Sequence, residues 1–584
     1  MKRLSAATAL GMILSASPAL AEITPKSVWD NLNAYYDRYG LTVQTGAVEE
    51  AGDVLTVRDL VLSQKAEGSQ TVIDMGNLIL SATGDGAVKM NIADVATGVM
   101  TFDKVSEGEA EAATDDAVEA EADAATDTVP DADAAPETDA APDADTEAEN
   151  DAAPDADAEP EDSAEADDDY DDHQPPRQVN FEMRFTSDDI TVSEDGDAVL
   201  YAYLIPRTDF IVTGIEMQDG STVSQPLRMT IENLEGHDRV DSTDATGLVQ
   251  ALNATSIAID FKIDDEDAQG TGNFLLTGMT ADSKVSSTAG FGADVDMAKM
   301  LQDGFSLASD IAFSKISGAI DMQTVDDEGQ RQPVRINMDS RDIKIGVGMD
   351  KTRLSYAVSS GPGKADFTVP DVPVPVGYEL AAASLKVELP VSAGSDPQPF
   401  SFHYLLDQVV LKDQVWAIFD PNMALPRDPA QLDIDVSGNV VMERDLFDSE
   451  HMHRAEALED PDLTDEQREA IIDEMSPPFT MADLSLNTVA LALMGASAQF
   501  QGKLTTPDGD ASEPVGAITG RFQGIQALTQ KLQASGLIPA EQAAMLPMML
   551  GMFAKPDPQA ADTMTTEIEF REGGQVFANG QQVR

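Results

Sequence analysis

The chain of 584 residues carries a formal charge of −70 and contains no cysteine. The absence of cysteine excludes thiol nucleophiles, thiolate metal sites and disulfides. The acidic surface argues against nucleic acid as a partner, because phosphate binding needs clustered Lys and Arg. At this length the chain exceeds what one simple core usually holds.

The first residues predict export. Lys2 and Arg3 precede a small, apolar stretch over residues 4–16, and Ala-Leu-Ala at 19–21 is a small-x-small cleavage site. This is the layout of a secretory signal peptide. We therefore expect cleavage after Ala21 and a periplasmic location, with secretion as the alternative. No later run reaches about 18 uninterrupted apolar residues, so the sequence predicts no transmembrane segment after cleavage.

Residues 22–106 are predicted to hold one helix and the first strands. Thr24 is a suitable N-cap and Pro25 suits the first helical position, while Gly40 can end the helix in a left-handed conformation. Apolar and aromatic residues recur at three- and four-residue spacing on one stripe, namely Val28, Trp29, Leu32, Tyr35, Tyr36 and Tyr39. Such a stripe favours core packing, and a grip on a ligand is the alternative.

Residues 107–177 are predicted to be a disordered acidic insertion of Ala, Asp, Glu and Pro. Between 107 and 172 there are 29 acidic residues and no basic ones. With little apolar surface larger than Ala, no burial offsets the entropy of ordering this segment. Because strand patterns flank it, we expect a loop inserted within a β region.

The main β region is predicted over residues 178–445, where short alternating runs recur between polar turns. Residues 446–478 read as a polar helical excursion, with Thr464 and Gln467 at the spacing of a capping box. The fold class is therefore mainly β (α+β): a large antiparallel β-sheet or sandwich-like assembly, with an N-terminal amphipathic helix and a C-terminal helical hairpin.

Residues 479–584 are predicted to add strands, the helical hairpin and a closing β-hairpin. Two helices meet around residues 536–539, and the hairpin turns at Gly573 and Gly574. Five apolar residues line the second helix, namely Met545, Leu546, Met549, Leu550 and Phe553. Core packing is favoured for them, and contact with an apolar partner is the alternative that methionine suits.

The stretch over residues 414–438 predicts a proline-rich corner: "YLLDQVVLKDQVWAIFD" leads in as strand or strand plus turn, and "QLDIDVSG" follows as a strand. We expect its apolar residues to anchor the corner against a core, namely Trp416, Ile418, Phe419 and Leu425. The alternative is a stiff, aromatic-lined mouth of a groove. The candidate contacts for a ligand or partner are accordingly Trp416, Phe419, Met545, Met549 and Phe553.

No catalytic, cofactor-binding or metal-binding residue is predicted. His451 and His453 have a metal-binding spacing but no third ligand in sequence, and His403 is expected to be a satisfied core residue. No nucleophile elbow, metalloprotease motif, phosphate loop or dinucleotide fingerprint occurs. We therefore expect no enzyme and no cofactor; a hydrolase would need Ser, His and an acid to converge in a pocket.

Several of these segments resemble the DUF2125 family of exported alphaproteobacterial proteins. They are the corner "WAIFDPNMALPRDPAQLDIDVSG", the helix pair "GLIPAEQAAMLPMMLGMFA", the end "EIEFREGGQVFANGQQV", and the signal with its Trp-containing helix. The family is uncharacterised, so the resemblance implies export but assigns no site residue. The late strand-Gly-strand pattern is also similar to AsmA-type envelope proteins, whose grooved sheets handle lipids; that likeness rests on the pattern and on no motif.

Two functions follow as expectations. The first is a non-enzymatic envelope protein that binds an apolar or lipid-like ligand in an aliphatic groove, which predicts a trough wider than side chains can fill. The alternative is a structural or protein-interaction scaffold of the envelope with no ligand, which predicts a filled core and an exposed apolar patch for a partner.

Overall fold

The computed structural model describes most of the chain outside its first residues and the acidic insertion. The described residues are 23–66, 68–102, 176–186, 189–218, 220–241, 247–265, 268–287, 296–326, 329–370, 372, 374–449, 452, 454, 458, 463–464, 467–468, 471–472, 478–507 and 513–584. The predicted signal peptide, nearly all of the predicted insertion, His451 and His453 lie outside them.

The N-terminal helix forms where its sequence signals place it. Helix α1 spans Pro25–Arg38, and the Oγ1 of Thr24 accepts a hydrogen bond from the backbone N–H of Ser27. Gly40 adopts φ 70°, a conformation that costs glycine little. The helix buries Val28, Trp29 and Leu32. The stripe predicted from the sequence is therefore the face that packs on the sheet.

All strands among the described residues belong to one antiparallel sheet of 27 strands. The first ones are β1 Thr42–Gln44, β2 Ala47–Ala51, β3 Val54–Ala66, β4 Ser69–Ala82, β5 Val88–Asn91, β6 Val95–Phe102, β7 Gln178–Thr186 and β8 Asp189–Asp195. Next come the long strands β9 Ala198–Glu216, β10 Thr222–Asp241, β11 Gly247–Asp264, β12 Ala268–Ser286, β13 Ser306–Val325 and β14 Arg331–Met349. Shorter strands follow: β15 Arg353–Ser360, β16 Gly363–Thr368, β17 Val376–Leu380, β18 Ala382–Pro390, β19 Gln398–Leu411 and β20 Ala430–Met442.

The C-terminal part continues the same sheet. Its strands are β21 Phe479–Leu493, β22 Ala496–Thr505, β23 Val515–Gln523, β24 Lys555–Pro556, β25 Thr563–Arg571, β26 Gln575–Ala578 and β27 Gln581–Gln582. Further helices are α2 Met297–Gln302, α3 Asp413–Phe419, α4 Ile525–Ala534 and α5 Ala540–Phe553, and the described residues 467–468 and 471–472 of the polar excursion are also helical. The mainly β fold, the helical hairpin and the closing β-hairpin are thus confirmed.

Both segments predicted to interrupt the β pattern connect strands that pair with each other. Thr101 of β6 pairs with Gln178 of β7 across the acidic insertion. Met442 of β20 pairs with Phe479 of β21 across the polar excursion. Within that excursion, Gln467 N–H donates to Thr464 Oγ1 and Thr464 N–H donates to Gln467 Oε1, which confirms the predicted capping box.

A row of kinks crosses the long strands. Asn233 on β10, Gly278 on β12 and Asp342 on β14 adopt φ of 53°, 63° and 54°. The register places them in one row with Thr255 and Ser314 of the intervening strands. Left-handed residues inside strands are rare because they crowd the Cβ atom, and glycine and asparagine tolerate the conformation best.

The apolar alternation shifts by one position at this row. On β10 the apolar positions change from Leu227, Met229 and Ile231 before Asn233 to Leu234 and Val240 after it. In a regular strand such a shift would send one set to the opposite face. An irregular residue re-aims the side chains that follow it. We conclude that the kinks keep the apolar side chains of both halves on one face.

That apolar face is well packed in two places. Helix α1 covers a cluster that includes Val57, Leu80 and Val192, each fully buried. Helix α2 and residues just after it contribute Met300, Leu301 and Phe305 to a second cluster with Val391. On one side of the row of kinks lie the upper halves of β11–β14, residues 256–264, 268–277, 315–325 and 331–341. Most apolar side chains there are only half-buried.

Candidate functional site

A pocket of about 450 Å³ lies between the C-terminal half of α1 and the strands β8 to β11. Its walls are mostly apolar or aromatic, and they include Leu32, Tyr35, Tyr36, Ile190, Tyr201, Tyr203, Ile205, Leu234 and Leu252. The size and the apolar lining are those of a small-molecule pocket. We take this aromatic pocket as the candidate functional site.

The helix side of the pocket follows from helical spacing. Leu32, Tyr35 and Tyr36 lie on one face of α1, because residues three and four apart are neighbours on a helix. The Tyr35 ring centroid lies 6.2 Å from that of Tyr36 and 4.5 Å from that of Tyr39. The same stripe that anchors α1 at Val28 and Trp29 thus opens into the pocket one turn later.

The sheet side follows from strand alternation and register. Tyr201, Tyr203 and Ile205 are alternate residues of β9 and so face the same way. Tyr201 pairs with Asp238 of β10, and Asp238 pairs with Gln250 of β11. These three side chains form one row across the pocket floor.

Gly236 lies next to this row, at a point where two strands are close together. It lies in register between Tyr203 on β9 and Leu252 on β11. A Cβ atom at this position would meet the Ala251 carbonyl oxygen at 2.6 Å and the Leu252 Cβ at 2.9 Å. The absence of a side chain at Gly236 therefore lets β10 and β11 approach each other closely at this point.

Among the described residues, Asp238 is the one acidic side chain that lines the pocket, and no Lys or Arg lines it. Its Oδ1 accepts hydrogen bonds from Tyr203 Oη at 3.3 Å and from Gln250 Nε2 at 2.8 Å. Among the described residues, no side chain donates to Oδ2. Burial raises the pKa of Asp238, because its charged form loses water, and this outweighs the opposite effect of the two hydrogen bonds and of His237.

The tyrosines stay neutral phenols. Burial raises the pKa values of Tyr35, Tyr201 and Tyr203 well above the ordinary value for tyrosine, and it also raises that of Tyr36. Buried phenols offer apolar ring faces and a polar tip in the same side chain. The pocket therefore combines apolar walls with a few polar groups that converge on one carboxylate.

The described side chains that line the pocket include no His and a single acid. Among the described residues, no group of His, Asp and Glu side chains is placed to hold a metal ion. His403 lies on β19, away from the pocket lining, and its Nε2 is 3.3 Å from Asp433 Oδ1. The acid, Asp238, is hydrogen-bonded to the phenol of Tyr203 and the amide of Gln250. Neither group forms the nucleophile–base pair or the pair of acids that such catalysis uses.

The predicted contact residues Trp416 and Phe419 lie elsewhere, on α3 at the corner. Trp416 is 5% exposed, its ring centroid is 5.1 Å from that of Phe419, and the Arg427 guanidinium lies 5.3 Å from it. The sequence suggested strand or strand plus turn here, but the segment is a helix. In a helix, residues three apart are neighbours, so the rings of Trp416 and Phe419 can pack together; in a strand they would point to opposite faces. The prediction that Ile418 anchors the corner is wrong, since it is 52% exposed.

Asp420 fastens this corner. Its side chain is 1% exposed, and its two carboxylate oxygens accept hydrogen bonds from the backbone N–H groups of Ala424 at 2.8 Å and Leu425 at 3.0 Å. Leu425 is itself buried. These contacts hold the turn in place, and Trp416 is buried in it.

The predicted contact residues Met545, Met549 and Phe553 lie on α5 and are 54%, 53% and 42% exposed. Core packing, favoured for them by the sequence, is therefore wrong. Helix α5 buries Ala543 and rests on α4 through few neighbours, so its large side chains remain uncovered by the described residues. Neither this helix nor the corner lines the aromatic pocket.

Sequence reasoning named the tyrosine stripe of α1 but missed its partners on the sheet. Tyr201 and Tyr203 carry a visible signal, the Tyr-x-Tyr alternation of β9. Asp238 carries a weaker one, an acid at a position whose same-face neighbours on the strand are Leu234 and Val240. In so acidic a chain that signal does not stand out.

No helix within the described ranges combines the length and the apolar character needed to cross a bilayer. In comparisons with known proteins, no family model, no curated protein and no solved structure matches this chain. The resemblances to the DUF2125 family and to AsmA-type proteins stay predictions.

Proposed function

We propose that this chain is an exported, non-enzymatic protein of the cell envelope that binds an apolar or lipid-like ligand in the aromatic pocket beneath α1. The observation that carries the proposal is the pocket itself, about 450 Å³ of space with mostly apolar walls. Space of this size holds a small amphiphile or one end of a longer one.

The apolar face of the sheet supports the proposal. Most of its apolar side chains are half-buried along the upper halves of β11–β14. The row of kinks keeps the apolar side chains of both strand halves on that face. An acyl chain that leaves the pocket would find aliphatic side chains on the adjoining floor. Contact with such a surface removes apolar area of the chain from water, and each Å² removed stabilises the complex by about 25 cal/mol.

The first experiment is native mass spectrometry of the full chain purified from the envelope of its own cells, with extraction of any bound lipid. A bound amphiphile at close to one molecule per chain is expected. A bare mass under gentle conditions would contradict the proposal.

The second experiment locates the ligand with the neutral fluorescent probe N-phenyl-1-naphthylamine. We expect saturable binding to the wild type and loss of most of it in Leu252→Trp, which fills the pocket. Val249→Trp is the matched control, because Val249 lies on the same strand but is 39% exposed and lines the other face. Equal loss of binding in both variants would count against the pocket.

The alternative function, a protein-interaction scaffold without a ligand, is favoured by one observation, the exposed methionines of α5. A bare mass together with a cross-linked envelope partner would support it. That partner should be lost in Met549→Glu and kept in Met423→Glu, a control whose side chain is 74% exposed at the corner.

A further inference from the structure

The charge inside the aromatic pocket is one-sided. Asp238 lines it, none of the described Lys or Arg side chains does, and the whole chain carries a formal charge of −70. Asp238 is half-buried and has no ion-pair partner among the described residues, and this is costly because its carboxylate loses hydration without gaining a paired counter-charge. A ligand that brings a positive charge would remove that cost, whereas a phosphate or carboxylate head would add to it.

The hydrogen bonds leave room for such a ligand. Tyr203 and Gln250 both donate to Oδ1 of Asp238. Its Oδ2 receives no donor from the described residues, although the side chain lines the pocket. Because the two existing donors already hold the carboxylate in place, it need not reorient when it meets a cation, and less entropy is lost on binding.

Aromatic rings surround the same space. Tyr35 and Tyr36 approach from α1, and Tyr201 and Tyr203 approach from β9. A cation near the face of an aromatic ring is attracted by the ring's quadrupole, and sites that bind quaternary ammonium groups combine several such rings. The Tyr35 and Tyr36 rings meet at 70°, so they present one face and one edge rather than a closed stack.

We infer that the aromatic pocket binds the ammonium head of a cationic amphiphile, with Asp238 as its counter-charge and the tyrosine rings around it. This inference rests on the proposed function, since it names the chemical class of the ligand for the same pocket. The hydrocarbon chain lies against Leu234, Ile205 and Leu252 on the floor. The head carries no phosphate inside the pocket, because no basic side chain lines it.

The test compares ten-carbon compounds that differ in the head group. Decyltrimethylammonium, 1-decanol and decanoate are titrated into the full-length protein against bound N-phenyl-1-naphthylamine, below their micelle concentrations and at a salt concentration that screens the protein's net charge. We expect the cation to compete at least about tenfold more strongly than the alcohol, and decanoate to compete least. Equal competition by the three would overturn the inference but leave the proposed function standing. Failure of all three to compete would overturn both.

Variants test whether the preference for the cation over the alcohol arises in the pocket. Asp238→Asn keeps the side chain's shape and should weaken the cation at least about fivefold while leaving 1-decanol unchanged. Glu235→Gln is the matched control: it removes the same charge from the same strand but faces the opposite side, and it should change neither. A cation preference that survives Asp238→Asn would overturn the inference.

Two further measurements test whether an aromatic ring contributes to cation binding and whether the ligand is an amphiphile or a small free amine. Tyr36→Leu keeps apolar volume but removes a ring, so it should weaken the cation severalfold and spare the alcohol. Tetramethylammonium should compete far more weakly than the decyl compound. If it competes equally well, the ligand is a small free amine and the amphiphile is overturned.

Discussion

Tyr201 Oη donates a hydrogen bond to Oδ1 of Asn31 at 2.7 Å, and so ties the middle of α1 to β9 across 170 residues of sequence. Tyr201 is 8% exposed, and its ring lines the aromatic pocket. One side chain therefore both fastens the helix and forms part of the binding surface.

Tyr201→Phe should reduce the free energy of unfolding by about 1 kcal/mol, since it removes one hydrogen bond of a half-buried amide and leaves the ring in place. Urea denaturation followed by circular dichroism measures the change. Tyr356→Phe is the control; that side chain is 42% exposed and should change stability by less than about 0.5 kcal/mol. Equal effects of the two variants would contradict the role of the Asn31 contact.

Asp238→Asn should stabilise the ligand-free protein at pH 7. Burial raises the folded-state pKa of Asp238 above its unfolded value, so the stability associated with this group is fully present below the unfolded pKa and is lost as pH rises through the folded pKa. The amide variant escapes that loss. The titratable groups that face Asp238 are the phenols of Tyr35, Tyr201 and Tyr203, and His237 lies beside it on β10.

Urea denaturation of the wild type and of Asp238→Asn from pH 7 down to about pH 4, near the pKa of an unperturbed Asp, measures this difference. The advantage of the variant should shrink as the pH falls and the wild-type carboxyl takes up its proton. A difference that is constant with pH, or a wild type that is more stable at pH 7, would contradict the raised pKa.

Asp420→Ala should cost about 2–4 kcal/mol, because two backbone N–H groups at the buried end of the corner lose their acceptor. The free energy of unfolding from urea curves measures it. Asp428→Ala, an exposed acid of the same corner, should be close to neutral. If Asp420→Ala leaves the free energy of unfolding unchanged, these hydrogen bonds do not stabilise the corner, and a functional role for Asp420 would have to be considered.

Asn233→Val should destabilise the sheet by about 1–2 kcal/mol, because a β-branched residue resists the left-handed conformation that Asn233 holds at φ 53°. Asn233→Gly should cost less, since glycine adopts the conformation freely and only the hydrogen bond from Asn233 Nδ2 to Thr255 Oγ1, 3.2 Å, is lost. If valine is tolerated as well as glycine, the kink does not constrain this position.

Replacement of residues 107–172 by a short Gly-Ser linker should leave the melting temperature within about 2 °C of the wild type. β6 and β7 are paired neighbours up to Thr101 and Gln178, and shortening a loop changes closure entropy only slowly with length. Calorimetry measures the outcome. A large loss of stability would show that the segment packs on the folded part.

Local signals explain what the sequence predicted well. The cap at Thr24, the stop at Gly40 and the turn at Gly573 and Gly574 each act within a few residues, and all three form. Alternation likewise located the strands, since each strand carries its own pattern. The corner differed because "QVWAIF" suits a strand by composition, while its Trp and Phe pack together only at helical spacing.

The pocket could not be predicted because it depends on which distant strands lie under α1. Nothing local to Tyr35 indicates that Tyr201 and Asp238 lie opposite it. Similarly, the apolar composition of α5 could not reveal its exposure, because burial depends on whether another element covers the helix. Tertiary placement decides both cases.

The strands from β9 to β14 each pair with the next one along the chain, so this part of the molecule grows by adding one hairpin at a time. Its energetics should resemble those of a repeat array, in which stability is a sum of neighbour terms rather than one indivisible core. Amide exchange would then show protection that fades gradually from strand to strand. Such a scaffold can lengthen or shorten by whole hairpins beyond β11 while the pocket beneath α1 stays intact.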